Sequence, residues 1–224
     1  MHNTPDKNAL NTSAFSPVRF TDSPSHLKSL KNDNIGIRTR LKATAKTLVE
    51  NHRKWDAAHR RGITLCKSIE KCKSHAIKTF NDSTDTNVAD KTLYPTELKA
   101  ICDKLQVITT IFEDVRNSAN ESRRQIVSFI KLGLTNVFAD SSLVYRTWDC
   151  TMLQSATDRI CDAYENEYEM KVKVMENIAH SRNDDELAMH LAVWEYQTHV
   201  DSDIEMLIKS LIIEADIELD DKTS

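Results

Sequence analysis

The sequence predicts an all-α protein, and its scarcity of turn-forming residues is the first reason. Only 3 of the 224 residues are Gly and 4 are Pro, whereas average usage of about 7% and about 5% would give roughly 16 and roughly 11. Sandwiches, barrels and doubly wound sheets need these residues for their many tight turns, and phosphate-binding loops need several glycines close together. The second reason is a pair of long segments with heptad spacing. We therefore predict a long helical hairpin or coiled coil, a smaller C-terminal helical unit and a disordered N-terminal tail.

Residues 1–34 are predicted to form the disordered tail, because polar residues predominate there and three of the four prolines lie in it. Each of these prolines follows a serine or a threonine, which is the pattern that proline-directed kinases modify. The candidate phosphorylation sites are Thr4, Ser16 and Ser23. The alternative is that such pairs are simply common in disordered tails.

Residues 35–133 are predicted to form the hairpin, because apolar residues recur there at alternating spacings of three and four. The first helix spans about 35–80, and His52, His59, Gly62 and Lys73 interrupt its apolar stripe. Gly62 marks either a break in the helix or a place where another backbone approaches closely. A polar linker, 81–95, leads to the second helix, whose stripe is the more regular one. The two helices are expected to pack antiparallel on each other or to zip with a helical partner.

Residues 148–215 are predicted to form the C-terminal unit of three helices. Asp149 is the expected N-cap of the first, which ends near His180, and Asn183 is that of the second. Ser202 and Glu205 form a capping box that opens the third. Residues 216–224 are an acidic tail.

The sequence indicates a protein that is not an enzyme and that holds no metal or cofactor. The eight histidines lack the H-E-x-x-H spacing of a zinc protease. Cys66 and Cys72 are about 240° apart around a helix, so they and His75 are not expected to share an ion. The acidic run that contains Glu167 is predicted to be a solvated surface. No segment approaches the roughly 18 apolar residues of a membrane helix, and the five cysteines are expected to be free thiols in a reducing compartment.

Charge is distributed unevenly along the chain. Residues 1–80 carry 16 Lys and Arg against 6 Asp and Glu, while residues 81–224 carry 14 against 28, for a net charge of −4. Either the basic half binds nucleic acid or an acidic partner, or a basic helix lies against an acidic one in this chain or a neighbour. The candidate nucleic-acid contacts, on the first helix beside Trp55, are Arg53, Lys54, Arg60 and Arg61.

Four aromatic residues on the apolar stripes are candidate interface anchors, since aromatic residues dominate the energetics of protein interfaces. They are Trp55, Phe112, Trp148 and Trp194. The alternative for each is ordinary core packing, which is favoured slightly for Trp148 and Trp194.

Three stretches, taken in order, resemble the cyclin-dependent kinase 2-interacting protein family, and together they cover about 38–215. The first surrounds Trp55 and continues through Gly62-Ile63-Thr64 and Ser68-Ile69; the second holds Leu98, Leu105-Gln106 and the run 113–121; the third holds Thr147-Trp148, Tyr164, Ala179-His180, Leu187, Trp194 and the segment 199–203. The sequence departs from the family at 196–199, where a proline is expected before Val200.

The resemblance implies a non-enzymatic nuclear adaptor for which no catalytic or ligand-binding residues are defined. Its expected partners are cyclin-dependent and origin-firing kinases and the adaptor of a checkpoint kinase. It also implies a structural subunit of a chromatin-associated complex of AAA+ ATPases with a small helical partner protein, serving turnover of replisome proteins and maturation of the large ribosomal subunit. The alternative function is a nucleic-acid or pre-ribosome binding protein that acts through the basic first helix.

Overall fold

The structure is a computed structural model that describes residues 24–82, 93–136 and 143–218. Five α-helices make up most of this part of the chain, and its described residues contain no β-strand. In chain order the helices are α1 (Pro24–Asp82), α2 (Thr96–Asn136), α3 (Cys150–Asn177), α4 (Asp184–Glu195) and α5 (Ser202–Glu214), and a short 3₁₀ turn (Ile178–His180) continues α3. The prediction of an all-α fold is confirmed.

Helix α1 begins at Pro24, ahead of the predicted start at Ile35. Proline fits the first turn of a helix, because the N–H that it lacks would have no partner there. Residues 1–23 lie outside the described part of the chain, and so do the predicted phosphorylation sites Thr4, Ser16 and Ser23. Residues 83–92 of the predicted linker and 219–224 of the acidic tail lie outside it as well.

Helices α1 and α2 form the predicted antiparallel hairpin. The Thr44 hydroxyl is 3.4 Å from the Gln125 amide oxygen, and the Asn51 amide donates to the Ser118 hydroxyl at 2.9 Å. Later residues of α1 therefore face earlier residues of α2, so the two helices run antiparallel. The alternative, in which the stripes zip with a separate helical partner, is not needed to bury them.

Helix α3 packs antiparallel to α2. Arg123 donates to Asp162 at 2.8 Å, and the Asn120 amide donates to Glu165 at 3.1 Å. The Cys161 thiol donates to the Ala119 carbonyl at 3.2 Å, deeper in the interface. Helix α3 therefore runs in the same direction as α1.

Helices α4 and α5 together take the place of a fourth helix that runs antiparallel to α1. Asp184 at the start of α4 accepts a hydrogen bond from Ser74 at 2.7 Å, and Glu195 at its end accepts one from Lys67 at 3.3 Å. Beyond α5, Asp216 reaches Lys42 at 3.9 Å. The architecture is an up-down-up-down four-helix bundle whose fourth helix is interrupted at residues 196–201.

One hydrophobic core runs through the described helices. It includes Leu48 of α1, Leu105 of α2, Ile160 of α3, Leu187 of α4 and Ile208 of α5. The C-terminal helices predicted at 148–215 are present, and they bury their apolar faces against the hairpin rather than against each other alone. Within the described ranges, no helix combines the length and apolar content that a membrane crossing requires.

Of the three caps predicted for the C-terminal helices, two are confirmed. The Asp149 carboxylate accepts from the backbone N–H of Met152 at 2.7 Å, and Asn183 accepts from that of Glu186 at 2.8 Å. The capping box at Ser202 was wrong by one residue. Asp201 is the N-cap of α5, and its carboxylate accepts from the backbone of Asp203 and Ile204 at 3.0 and 3.2 Å. A charged acceptor satisfies two free N–H groups at once, and it also suits the positive end of the helix dipole.

Candidate functional site

The four candidate interface anchors lie in the core rather than on the surface. Trp55, Phe112 and Trp194 are completely buried, and Trp148 is 7% exposed. The Trp55 and Phe112 ring centroids are 4.4 Å apart, and those of Phe112 and Trp194 are 5.9 Å apart. The structure therefore corrects the docking interpretation: core packing applies to all four residues in the folded chain.

The aromatic cluster also fixes the break between α4 and α5. The indole N–H of Trp55 donates to the side-chain oxygen of Gln197 at 2.7 Å. Gln197 belongs to the interruption at 196–201, so a core residue of α1 holds the connecting segment in place. The indole of Trp194 lies directly over Gly62 of α1, which has no side chain in the way. The helix is unbroken at Gly62, and what approaches closely there is a ring rather than a backbone.

A buried ion pair joins the same break to α3. Glu167 and Lys171 lie one helical turn apart with side chains 1% and 0% exposed, and their Oε1 and Nζ atoms are 3.0 Å apart. Lys171 also donates to the backbone carbonyl of Trp194 at the end of α4. Glu167 Oε2 accepts from the backbone N–H of His199 at 3.0 Å. The pair thus binds backbone groups on both sides of the interruption.

The expected solvated surface at Glu167 is therefore wrong for that residue. The signal that identifies it is spacing rather than residue type. Glu167 and Lys171 continue the three-four alternation of Ile160, Tyr164 and Val174, which places both charges on the apolar face of α3. Residues on that face are buried whatever their charge, and the i to i+4 spacing allows these two to neutralise each other.

His59 is the third polar member of this buried cluster. Its side chain is 7% exposed, and its Nδ1 has no hydrogen-bond partner among the described residues. Burial is the main cause that lowers its pKa to about 4, and the charge of nearby Lys171 lowers it further. The imidazole is therefore neutral at pH 7, with its ring packed on the core.

We expect acidification from about pH 6.5 to about pH 4 to destabilise the protein through His59. The pKa of about 4 in the folded chain lies below the unfolded value near 6.5. The unfolded chain therefore binds more protons in this window, and stability falls as the pH falls. The effect is on the order of 3 kcal/mol at most. Urea unfolding over this range should show that His59→Leu loses less stability than the parent chain.

The matched control for this prediction is His75→Leu, because His75 lies on the same helix and is exposed. Burial also lowers the pKa of His52, and this contribution is common to all three chains, so it cancels in the comparison. If the free energy of unfolding fell equally with pH in the parent chain and in His59→Leu, the destabilisation on acidification would not come from His59.

The three residues considered for a metal site do not converge. Cys66 is completely buried in the core, Cys72 is half-buried and His75 is exposed. Burial raises the pKa of the Cys66 thiol to about 12, so the thiolate that binds metals is disfavoured there. Among the residues that the structure describes, no group of three His, Cys, Asp or Glu side chains is placed to hold an ion.

The predicted basic residues are all on the surface of α1. Arg53, Lys54, Arg60 and Arg61 are exposed. Arg60 pairs with Asp56 at 2.8 Å, whereas the other three make no ion pair with any described residue. Of the two interpretations of the charge asymmetry, contact between a basic and an acidic helix accounts for pairs such as Lys67 with Glu195. It provides no counter-charge among the described residues for Arg53, Lys54 or Arg61.

An open apolar groove of about 430 Å³ lies between α1 and α2. Its lining residues are Arg61, Thr64, Leu65, Lys104, Val107 and Ile108. Val107 is 63% exposed although its neighbour Ile108 is only 8% exposed. Sequence reasoning missed this groove, because Val107 lies off the heptad stripe by which the apolar residues of α2 were identified.

Comparison with known proteins shows a distant relationship to two proteins of the same name. No family model matches the chain. The chain is 22% identical over 166 residues to a cyclin-dependent kinase 2-interacting protein of Xenopus laevis, an alignment that covers 72% of this chain and 80% of that protein. It is 20% identical over 171 residues to the Homo sapiens protein of the same name, covering 72% and 81%. The chain is therefore a distant relative of these two proteins.

Proposed function

We propose that this chain is a non-catalytic adaptor that binds a cyclin-dependent kinase. The observation that carries the proposal is the similarity over 72% of the chain to two proteins named for their interaction with cyclin-dependent kinase 2. The finer proposal follows the resemblance seen in the sequence. It adds a nuclear location, contact with origin-firing kinases and a checkpoint kinase adaptor, and assembly with AAA+ ATPases in replisome protein turnover and ribosome maturation.

The geometry supports binding rather than chemistry. His59 and Lys171, whose pKa values are lowered mainly by burial, are packed in the core, where a substrate cannot reach them. Two of the open grooves lie along helix surfaces and are lined mainly by apolar and hydroxyl side chains. Such surfaces fit the helices or loops of another protein.

Binding of the purified chain to a purified cyclin-dependent kinase 2–cyclin complex tests the proposal. We expect a complex with a dissociation constant of about 1 μM or tighter, as specific interfaces of standard size commonly give. A kinase inactivated at its catalytic aspartate should bind equally well, because an adaptor does not depend on turnover. Failure to bind any purified cyclin-dependent kinase would remove the proposal. Recovery of AAA+ ATPases with the chain from nuclear extract tests the finer part.

Nucleic-acid binding is the second candidate, and it is favoured by the exposed side chains of Arg53, Lys54 and Arg61, which form no ion pair with a described residue. Cations on a helix bind phosphates with an affinity that falls steeply with added salt. A gel shift with RNA and DNA across a salt series separates the two functions. Tight binding that is abolished by Arg60→Glu with Arg61→Glu favours this candidate over the adaptor.

A further inference from the structure

We propose that the apolar groove between α1 and α2 binds an amphipathic helix of a partner protein, with carboxylates on both sides of its apolar stripe. The proposal deepens the adaptor function and rests on it. All six lining residues belong to α1 and α2, so none of the later helices covers the groove. Val107, 63% exposed on one wall, offers apolar area that the fold itself does not use.

The shape of the groove selects a helix as its occupant. Its walls are two antiparallel helices, and the trough between two such helices accepts the side-chain ridge of a third. This is the helix-in-groove mode of recognition, in which residues at i, i+3, i+4 and i+7 insert apolar side chains. A groove of about 430 Å³ has room for a few such side chains.

The charges at the rim select the flanks of that helix. Arg61 stands on the α1 wall and Lys104 on the α2 wall, and neither forms an ion pair with a described residue. Two uncompensated cations on opposite walls attract carboxylates on both sides of a bound helix and repel lysines at the same places. A phosphate backbone would meet the same cations, but it has no apolar stripe with which to cover Leu65 and Val107.

Two labelled helical peptides test the proposal on the full chain. Both carry the same leucine stripe, and glutamates flank it in one while lysines flank it in the other. Fluorescence anisotropy should show about ten-fold tighter binding of the glutamate peptide, with the difference shrinking as salt is added. Arg61→Glu combined with Lys104→Glu should reverse the preference.

Val107→Glu is expected to weaken binding of the glutamate peptide at least about ten-fold, because it places a charge on the apolar wall. Met206→Glu is the matched control. Met206 is 65% exposed on α5, close to the 63% of Val107, and it is not part of the groove. Circular dichroism spectra of both variants should match that of the parent, since both positions are largely solvated.

Several results would overturn the proposal. These are equal affinity for the two peptides, equal losses from Val107→Glu and Met206→Glu, or binding of neither peptide because the groove is filled by this chain itself. Self-association that Val107→Glu abolishes would assign the groove to a second copy and would overturn it as well. If the kinase complex survives while the peptides fail to bind, the groove proposal falls and the adaptor function stands. Peptide binding without a kinase complex supports the groove and removes the kinase role.

Discussion

Replacing Gly62 by alanine is expected to destabilise the protein by up to about 2 kcal/mol, although alanine is the better helix former. An ideal Cβ at position 62 would lie 2.3 Å from Cζ2 of Trp194 and 2.6 Å from its Nε1. The Trp194 ring cannot move away easily, because it is fully buried and packs edge to face on Phe112, with the ring centroids 5.9 Å apart. Overpacking of this kind costs about 1–3 kcal/mol or more, and the gain of about 1 kcal/mol in helix propensity offsets only part of it.

Gly36→Ala is the control for Gly62→Ala. Gly36 lies on the same helix, and nothing is found within 4 Å of where its Cβ would be. The substitution there should be neutral or stabilising by up to about 1 kcal/mol, because it limits the freedom of the unfolded chain. Urea unfolding should therefore show a lower midpoint for Gly62→Ala and an unchanged or higher midpoint for Gly36→Ala. Stabilisation by both substitutions would contradict the close contact between Gly62 and Trp194.

Trp194→Phe provides a second check on the same contact. The smaller ring lacks the indole atoms that the new Cβ would meet, and the indole Nε1 of Trp194 has no hydrogen-bond partner among the described residues to lose. Trp194→Phe alone should destabilise the protein by leaving a cavity. In its background the penalty of Gly62→Ala should shrink toward zero, which a double-mutant cycle measures as a coupling between the two positions.

The hairpin was predictable from the sequence because burial follows position on a helix. A heptad stripe requires a partner surface of the same length, and α2 supplies one for α1 within the chain. The helix ends were predictable for a similar reason, since Asp149 and Asn183 satisfy backbone N–H groups that any helix leaves free. These are local rules that a single segment obeys without reference to the rest of the fold.

The contents of the core were harder to predict because charge and burial conflict there. Lys73, which interrupts the stripe of α1, is completely buried and donates to the Leu93 carbonyl at 3.1 Å. Its partner is a backbone group about twenty residues away in sequence, which no periodicity reveals. The same holds for Lys171, whose partners include the Trp194 carbonyl. The groove at Val107 depends on how α1 and α2 pack, so it too appears only in three dimensions.

Replacing Lys171 by methionine is expected to lower the free energy of unfolding by about 3–5 kcal/mol, which is more than Gly62→Ala is expected to cost. Burial lowers the pKa of Lys171, and the adjacent Glu167 opposes that shift. Methionine fills similar volume, but it leaves the Glu167 carboxylate buried without its counter-charge, which is the costly half of a broken buried pair. The Trp194 carbonyl also loses a donor. A loss of this size is a large fraction of the roughly 5–15 kcal/mol that stabilise an ordinary domain.

Lys209→Met in α5 is the control for Lys171→Met. Glu205 and Lys209 have the same residue types, order and i to i+4 spacing as Glu167 and Lys171, and their side chains are 54% and 71% exposed at 3.5 Å. Water screens that pair, so its loss should cost only about 0.3–0.5 kcal/mol. Urea unfolding of the two variants therefore compares one ion pair in the core with its equivalent in solvent. Equal losses would contradict the burial of the Glu167–Lys171 pair.

The double variant Glu167→Gln with Lys171→Met separates the charge from the hydrogen bonds of this site. Glutamine removes the unpaired charge and keeps an acceptor for the backbone N–H of His199, which Glu167 Oε2 binds at 3.0 Å. We expect it to recover most of the stability that Lys171→Met loses, because an uncharged pair of similar volume avoids the cost of desolvating two ions. The remaining deficit, about 1–2 kcal/mol, measures the unpaired carbonyl of Trp194. No recovery would mean that Lys171 acts through its contacts with α4 rather than through the charge of Glu167.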